Sequence, residues 1–273
     1  MHATTTYFAD FATALRYWRT RRGASQLRLA TDSGISQRHL SFLESGRAQP
    51  SRDMIIRLGI ALDVPLRQRN VMLLAAGFAP AYEERSLDDA GMRAVKQALD
   101  FMLAQQAPYP ALVVDRLWNL VMANAPAAGM VRFFLGLPPE TPLPRDGSIN
   151  VIRLALAPDG LGPWLVNRDE VGADLLHWIA REALGDGPGS EAAHLLAELS
   201  QLPGMSAPPD SANLDRGSLP FLPLILRKDG VELNLFTTIT TLGTPRDVTV
   251  HELRLETFFP ADERSAAWFR ERA

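Results

Sequence analysis

Between Ser25 and Arg47 the chain sets Gln37, Arg38, Ser41 and Phe42 on one side of a short helical stretch, with Leu40 and Leu43 on the other. These side chains can read the edges of bases. An Arg guanidinium bonds guanine O6 and N7 together, and a Gln amide does the same for adenine N6 and N7. Phe42 fits contact with a thymine methyl or closure of a hydrophobic core. Arg38 also fits a solvated surface charge, and His39 a surface or packing position. Gln26 opens the preceding helix, where its side chain and backbone N–H can hold a phosphate.

Other chemistry is sparse. His177 and His194 lie 17 residues apart and make no HExxH pair,. Either could be a haem axial ligand, although a surface or satisfied role suits them better. No GxSxG, GxxxxGK[ST] or GxGxxG element occurs,. Asp169-Glu170 reads as an acidic helix start before it reads as a catalytic dyad. Cys is absent, which excludes disulfides, thiol catalysis, iron–sulfur clusters and cysteine zinc sites,. No catalytic residue, metal or cofactor is expected.

The elements that position the first set are short helices broken by tight turns. Phe11, Leu15 and Trp18 recur on one helical face, with Gly23 as the stop. Ser25 caps a second helix ending at Gly34, and Ser36 caps a third ending at Gly46. Pro50-Ser51 starts a fourth with Ile55, Leu58 and Leu62 on one face. Asp63-Val-Pro65 breaks it, and a fifth runs to about Ala76. Two helices that cross closely need small residues, and Ala30 and Gly34 meet that need. Residues 1–80 hold 11 Arg, no Lys and five acids, a net +6, whereas residues 81–273 hold 17 bases and 26 acids, a net −9. Such asymmetry suits a first part that touches a polyanion and a second that does not.

Ser25-Gln26, Leu29-Ala30, Gly34-Ile35-Ser36, Leu40-Ser41, Leu43-Glu44, Gly46-Arg47 and Pro50-Ser51 together resemble the XRE-type, lambda-repressor-like family of bacterial helix-turn-helix domains. The resemblance covers about residues 8–77. It implies an all-α five-helix domain that binds a double-stranded DNA operator. It implies base-reading roles for Gln37, Arg38, Ser41 and Phe42, and backbone contacts for Gln26, Ser36 and Arg47. It also implies a structural pair between Arg19 and Glu44.

A polar, aperiodic linker is expected at 81–88, followed by a second domain at 89–273. A helix is expected over Asp89–Gln105, then strands over Ala111–Asp115 and Trp118–Met122, with Asn124 capping the next helix. Helical stretches at 149–157, 168–184 and 190–201 alternate with Pro- and Gly-rich loops at 136–147, 185–189 and 202–210. Strands Leu222–Arg227 and Val231–Thr241 flank the turn Lys228-Asp229-Gly230, and Leu253–Phe259 is the last strand. In the middle strand Val231, Leu233, Leu235, Thr237 and Ile239 share one face.

The run Val114-Asp115-Arg116-Leu117-Trp118-Asn119, with Asn124, Asn150–Leu154 and Glu198-Leu199-Ser200, resembles the MmyB-like ligand-binding domain over about 90–260. This resemblance implies a PAS-like α+β fold in which an antiparallel sheet with a helical insertion cups a cavity. The ligand it implies is small and apolar, of fatty-acid or acyl type. Trp118, Met122, Phe133, Phe134, Trp178 and Phe236 are the pocket candidates, each of which also fits plain core. Arg116, Arg153, Asn234, Thr238 and Arg254 are candidates for a polar head.

The expectation is a cytoplasmic, DNA-binding transcription regulator, repressor by family default, acting as a homodimer on a two-fold operator. No stretch approaches the roughly 20 apolar residues of a membrane span, and no secretory leader is visible at the start. Two other readings stay open. The second part could only dimerise or bind a partner protein, or it could be an enzyme fused to a DNA-binding domain.

Overall fold

The computed structural model describes residues 8–142, 144, 148–186, 189–205 and 223–272. Leu222, expected to begin a strand, and parts of the three expected loops (143, 145–147, 187–188 and 206–210) lie outside the described residues. The chain forms two units. The first runs to Arg85 and takes in Thr244–His251, and the second comprises Ser86–Gly243 with the chain from Glu252 onward.

The first unit is built from α1 (Phe11–Arg21), α2 (Gln26–Ser33), α3 (Gln37–Glu44), α4 (Arg52–Ala61) and α5 (Leu66–Ala75). Ser25, Ser36 and Ser51 each accept the N–H three residues on, at 3.1 to 3.2 Å. Losing such a cap costs about 1 kcal/mol. Gly34 closes α2 at φ 67°, a left-handed turn that lets Ile35 N–H reach the Ala30 carbonyl at 2.9 Å,. The apolar faces meet in one core that includes Leu15, Trp18, Leu29, Ala30, Leu40, Leu43, Ile55 and Leu58. Burying each large side chain contributes roughly 1.5–3 kcal/mol.

The stretch expected as a linker is held against α5. Asn70 Oδ1 accepts from Ala81 and Tyr82 N–H, its Nδ2 donates to the Tyr82 carbonyl, and Arg67 pairs with Glu84. Val248 N–H then donates to the Glu83 carbonyl at 2.8 Å, bringing Thr244–His251 into this unit rather than the one expected from 89 onward. That pairing spans more than 160 residues of chain, so no local pattern announces it.

The second unit contains α6 (Arg93–Gln105), β1 (Ala111–Val114), β2 (Leu120–Ala123), α7 (Ala125–Leu135), α8 (Val151–Leu156), α9 (Arg168–Asp186), α10 (Glu191–Leu199), β3 (Pro223–Lys228) and β4 (Val231–Thr240). After α11 (Val248–Glu252), which crosses the boundary between units in the sequence, come β5 (Arg254–Pro260) and α12 (Glu263–Arg270). The sheet order is β2-β1-β5-β4-β3, and every neighbouring pair is antiparallel. Helices α7 to α10 are the insertion between β2 and β3. The architecture is the expected α+β fold, an antiparallel sheet with a helical insertion.

Strand alternation gives the sheet two apolar faces. Leu112, Leu226, Leu233, Leu235 and Phe258 join the larger core with Phe134, Ile152, Leu176 and Ile179 of the inserted helices. Val113 and Leu255 point the other way and pack with Leu99 and Leu103 of α6. Asp229 (φ 49°) and Gly230 (φ 78°) make the tight turn between β3 and β4,. Three elements depart from expectation. β2 starts at Leu120, because Trp118 sits in the preceding turn at φ 65°. The helices α11 and α12 were not anticipated, although Asp262 is a legible cap that accepts from Ser265 N–H at 2.7 Å.

Candidate functional site

In the first unit the second and third helices present their polar residues outward. Gln37 and Arg38 are exposed, while Ser41 and Phe42 are half-buried. Leu40 and Leu43, on the other face of α3, are fully buried. Phe42 lies outside the core cluster, and the Arg38 guanidinium stands 5.4 Å from its ring centroid. This cation–π contact joins residues one helical turn apart. The aromatic face and the Arg therefore form one amphipathic surface on α3.

The frame behind that surface is ionic. Glu44, 3% exposed, accepts from Arg19 Nε at 2.5 Å and Nη2 at 3.0 Å, and from Gln26 Nε2 at 2.7 Å. The expected Arg19–Glu44 pair is present, and it ties α1 to the end of α3. Gln26, expected to contact a phosphate, spends its amide N–H on this frame and keeps its backbone N–H at the start of α2. Ser36 is exposed, but its Oγ caps α3 through His39 N–H. Arg47 is exposed, and its backbone N–H is fixed to the Phe42 carbonyl at 2.9 Å.

The second unit holds a cavity of about 170 Å³ between the sheet and the inserted helices. Its walls come from Leu112 and Phe258 on the sheet, Ala127 and Met130 on α7, Ile152 on α8, and Leu175 on α9. Trp118 closes one side. A non-glycine residue in the left-handed region costs roughly 1–2 kcal/mol, and its neighbours hold it there. Asp115 Oδ1 accepts from Leu117 and Asn119 N–H at 2.8 and 2.9 Å, and Asn150 Nδ2 donates to the Leu117 carbonyl at 2.7 Å. Trp118's own N–H bonds the Asp115 carbonyl, and its carbonyl accepts from Val151 N–H. Asp115, Asn119 and Asn150 thus act by aiming Trp118. Asn124 has a similar architectural task, since it accepts from Ala111 and Ala127 N–H and donates to the Leu103 and Tyr109 carbonyls.

Of the six pocket candidates, Trp118 lines this cavity, and the other five are not among its lining residues. Strand parity explains two of them. Met122 stands opposite Val113 and goes with it to the α6 face, and Phe236 stacks on Phe259 at 5.3 Å, on the side of β4 opposite Leu235 and Thr237. Phe134 is fully buried core, and Phe133 packs edge-on against it at 5.1 Å and against Trp268 at 5.3 Å. Trp178 backs Trp118 edge-on at 5.9 Å rather than facing the space.

The candidate head-group residues are engaged elsewhere. Arg116 pairs with Asp186 and approaches Glu252 at 3.7 Å. Arg153 chelates Glu198, Asn234 donates to Asp262, and Thr238 bonds Thr257. Arg254 donates to the Glu252 carbonyl.

The polar groups that do line the cavity are Glu256, Thr237 and Asp174. Glu256 lies on β5 between Leu112 of β1 and Ile239 of β4. It is 7% exposed, and burial pushes its carboxyl up to about 7, with a hydrogen bond to Thr237 pulling the other way,. Asp174 is exposed at the cavity edge. Glu256 is not among the residues expected in the pocket, although an acid amid Leu255 and Phe258 in a strand with apolar neighbours is a visible anomaly.

Among the described residues no group of three or more His, Asp or Glu is placed to hold a metal ion, and no helix is long and apolar enough to cross a membrane. A helix-turn-helix family model matches residues 15–68, and the model of the MmyB-like transcription regulator ligand binding domain matches residues 95–271. No match is found among curated proteins. An outward polar helix on an ionic frame, followed by an apolar cavity, accords with both matches: the chain belongs to the MmyB-like transcription regulators and is a DNA-binding regulator with a C-terminal ligand-binding domain.

Proposed function

We propose that α3 reads an operator in the major groove through Gln37, Arg38, Ser41 and Phe42, while Gln26, Ser36 and Arg47 hold the DNA backbone. Gln26 acts here through its main-chain N–H. The observation that carries this reading is the split of α3 into a fully buried Leu40–Leu43 face and an outer Gln37–Arg38 face. A homodimer doubles the few base pairs that one helix covers.

The ligand proposed is a small apolar molecule of fatty-acid or acyl type, seated in the cavity beside Trp118. An apolar cavity of about 150 Å³ takes a benzene-sized molecule, so the space of about 170 Å³ here suits a short chain or the end of a longer one. Ligand changes DNA affinity by favouring one of two states of the chain, and the default sense is repression relieved or imposed by that shift.

The test begins with selection of duplexes from a random pool by the full chain, followed by fluorescence anisotropy on a selected and a scrambled duplex. Arg38→Ala is expected to weaken the selected duplex about 5- to 150-fold and the scrambled one much less. Equal loss on both would make Arg38 a phosphate contact and remove its reading role.

A further inference from the structure

The cavity has a chemical polarity that its apolar walls conceal. Its polar lining consists of two carboxyls and one hydroxyl, Glu256, Asp174 and Thr237, and among the described residues that line it there is no Lys, Arg or His. Arg116 is paired with Asp186 and Arg153 with Glu198, while Arg254, two residues before Glu256 on β5, donates to the Glu252 carbonyl. Glu256 is deep, at 7% exposure, and is flanked in the sheet by Leu112 and Ile239. Thr237 is its hydrogen-bonding neighbour. A carboxyl in such surroundings lacks a countercharge and has acceptor capacity to spare.

A ligand carboxylate placed here would meet like charge. A ligand ammonium would supply the countercharge and up to three donors, in low dielectric where such bonds are strongest. We propose that the cavity selects a short apolar molecule with an amine head, seated on Glu256 and Thr237, and rejects the corresponding carboxylate. This rests on the cavity being the ligand site: it keeps the apolar chain of the fatty-acid reading and replaces its carboxylate head by an amine, and the experiment below separates the two heads.

The burial of Glu256 adds a pH dependence. Its carboxyl is held near neutrality by desolvation, so the ionised form that pairs with an ammonium grows as pH rises from 6 to 8. The apolar neighbours Leu112 of β1, Ile239 of β4 and Phe258 of β5 do not titrate, and Asp174 of α9 is the other titratable group lining the space. Amine binding therefore strengthens with pH over this range.

The experiment is calorimetric titration of the full chain with hexylamine, hexan-1-ol and hexanoate at pH 6 and pH 8, for the natural sequence and for Glu256→Gln. At pH 8 hexylamine is expected to bind at least about tenfold more tightly than hexanoate, the size of one charge-assisted hydrogen bond. Hexan-1-ol should compete with it, which places both in the cavity rather than on the acidic surface. Hexylamine affinity should rise from pH 6 to pH 8, and Glu256→Gln should abolish both the preference and the rise. The pH comparison on the natural sequence stands even if the variant folds poorly. Tighter binding of hexanoate, a preference for amine that survives Glu256→Gln, or failure of hexan-1-ol to compete would overturn the head-group assignment while leaving the cavity a ligand site. Binding of none of the three would overturn the cavity reading and the assignment with it.

Discussion

The two units place their polar residues in opposite ways. On α3 the groups that can act, Gln37 and Arg38, are exposed, and the buried acid behind them, Glu44, is bonded by Arg19 and Gln26. In the ligand-binding unit the order is inverted. Arg116 and Arg153 lie in ion pairs, no arginine is among the described residues that line the cavity, and the buried acid, Glu256, has a threonine for company. A satisfied buried acid fixes a frame, whereas an under-satisfied one leaves capacity for a ligand. The difference between Glu44 and Glu256 is thus the difference between a residue that positions a site and one that is a site.

The largest effect that would sharpen this contrast is expected at Trp118. Replacing it by Ala should cost the second unit about 4 kcal/mol, through lost packing against Trp178 and an enlarged cavity. Chemical denaturation followed by circular dichroism measures it. A loss below about 1 kcal/mol would mean that the turn relaxes without its indole.

Glu44→Ala comes next. Removing the acid strands Arg19 and should destabilise the first unit by about 3 kcal/mol. Differential scanning calorimetry should show the helical unit melting earlier. If Glu44→Ala left stability unchanged, Glu44 would not differ in kind from Glu256.

The third prediction concerns pH. The folded carboxyl of Glu256 is raised to about 7 from 4.5. Its contribution is fully present below the unfolded value and is lost as pH rises through the folded one. Stability should fall between about pH 4.5 and 7 by up to about 3 kcal/mol and then level off. Glu256→Gln should flatten that slope and leave the protein more stable at pH 8. An unchanged slope would mean that water or a nearby cation already compensates the carboxylate.

The two units also differ in how openly their sequences display them. Ser25 to Arg47 carries its own punctuation, and each cap and glycine acts within four residues, so the helices and the outer face of α3 could be read directly. Asn124 was legible as a cap for the same reason. Alternation in β4 correctly put Leu233, Leu235 and Thr237 on one face, and that parity already sends Phe236 to the other. The cavity was not legible because it depends on pairing between distant strands. Glu256 becomes a pocket residue only when β5 lies between β1 and β4, and Met122 leaves the pocket only when Val113 is its partner. Aromatic residues drew the eye to the core, since large side chains fill space more often than they border it. Trp118 is the exception, because its turn backbone, held by Asp115 and Asn150, aims it at the cavity.

The central claim is that filling the cavity changes the grip of α3 on DNA. It is tested most directly by measuring the dissociation constant for a selected duplex with and without a saturating six-carbon probe, at constant pH and salt. The natural chain is compared with Ala128→Phe, which puts a ring at a position on α7 that lines the cavity. A change of about fivefold or more in the natural chain, absent in Ala128→Phe, is the predicted result. The same dissociation constant with the cavity demonstrably filled would contradict it, and would leave the second unit a scaffold rather than a sensor.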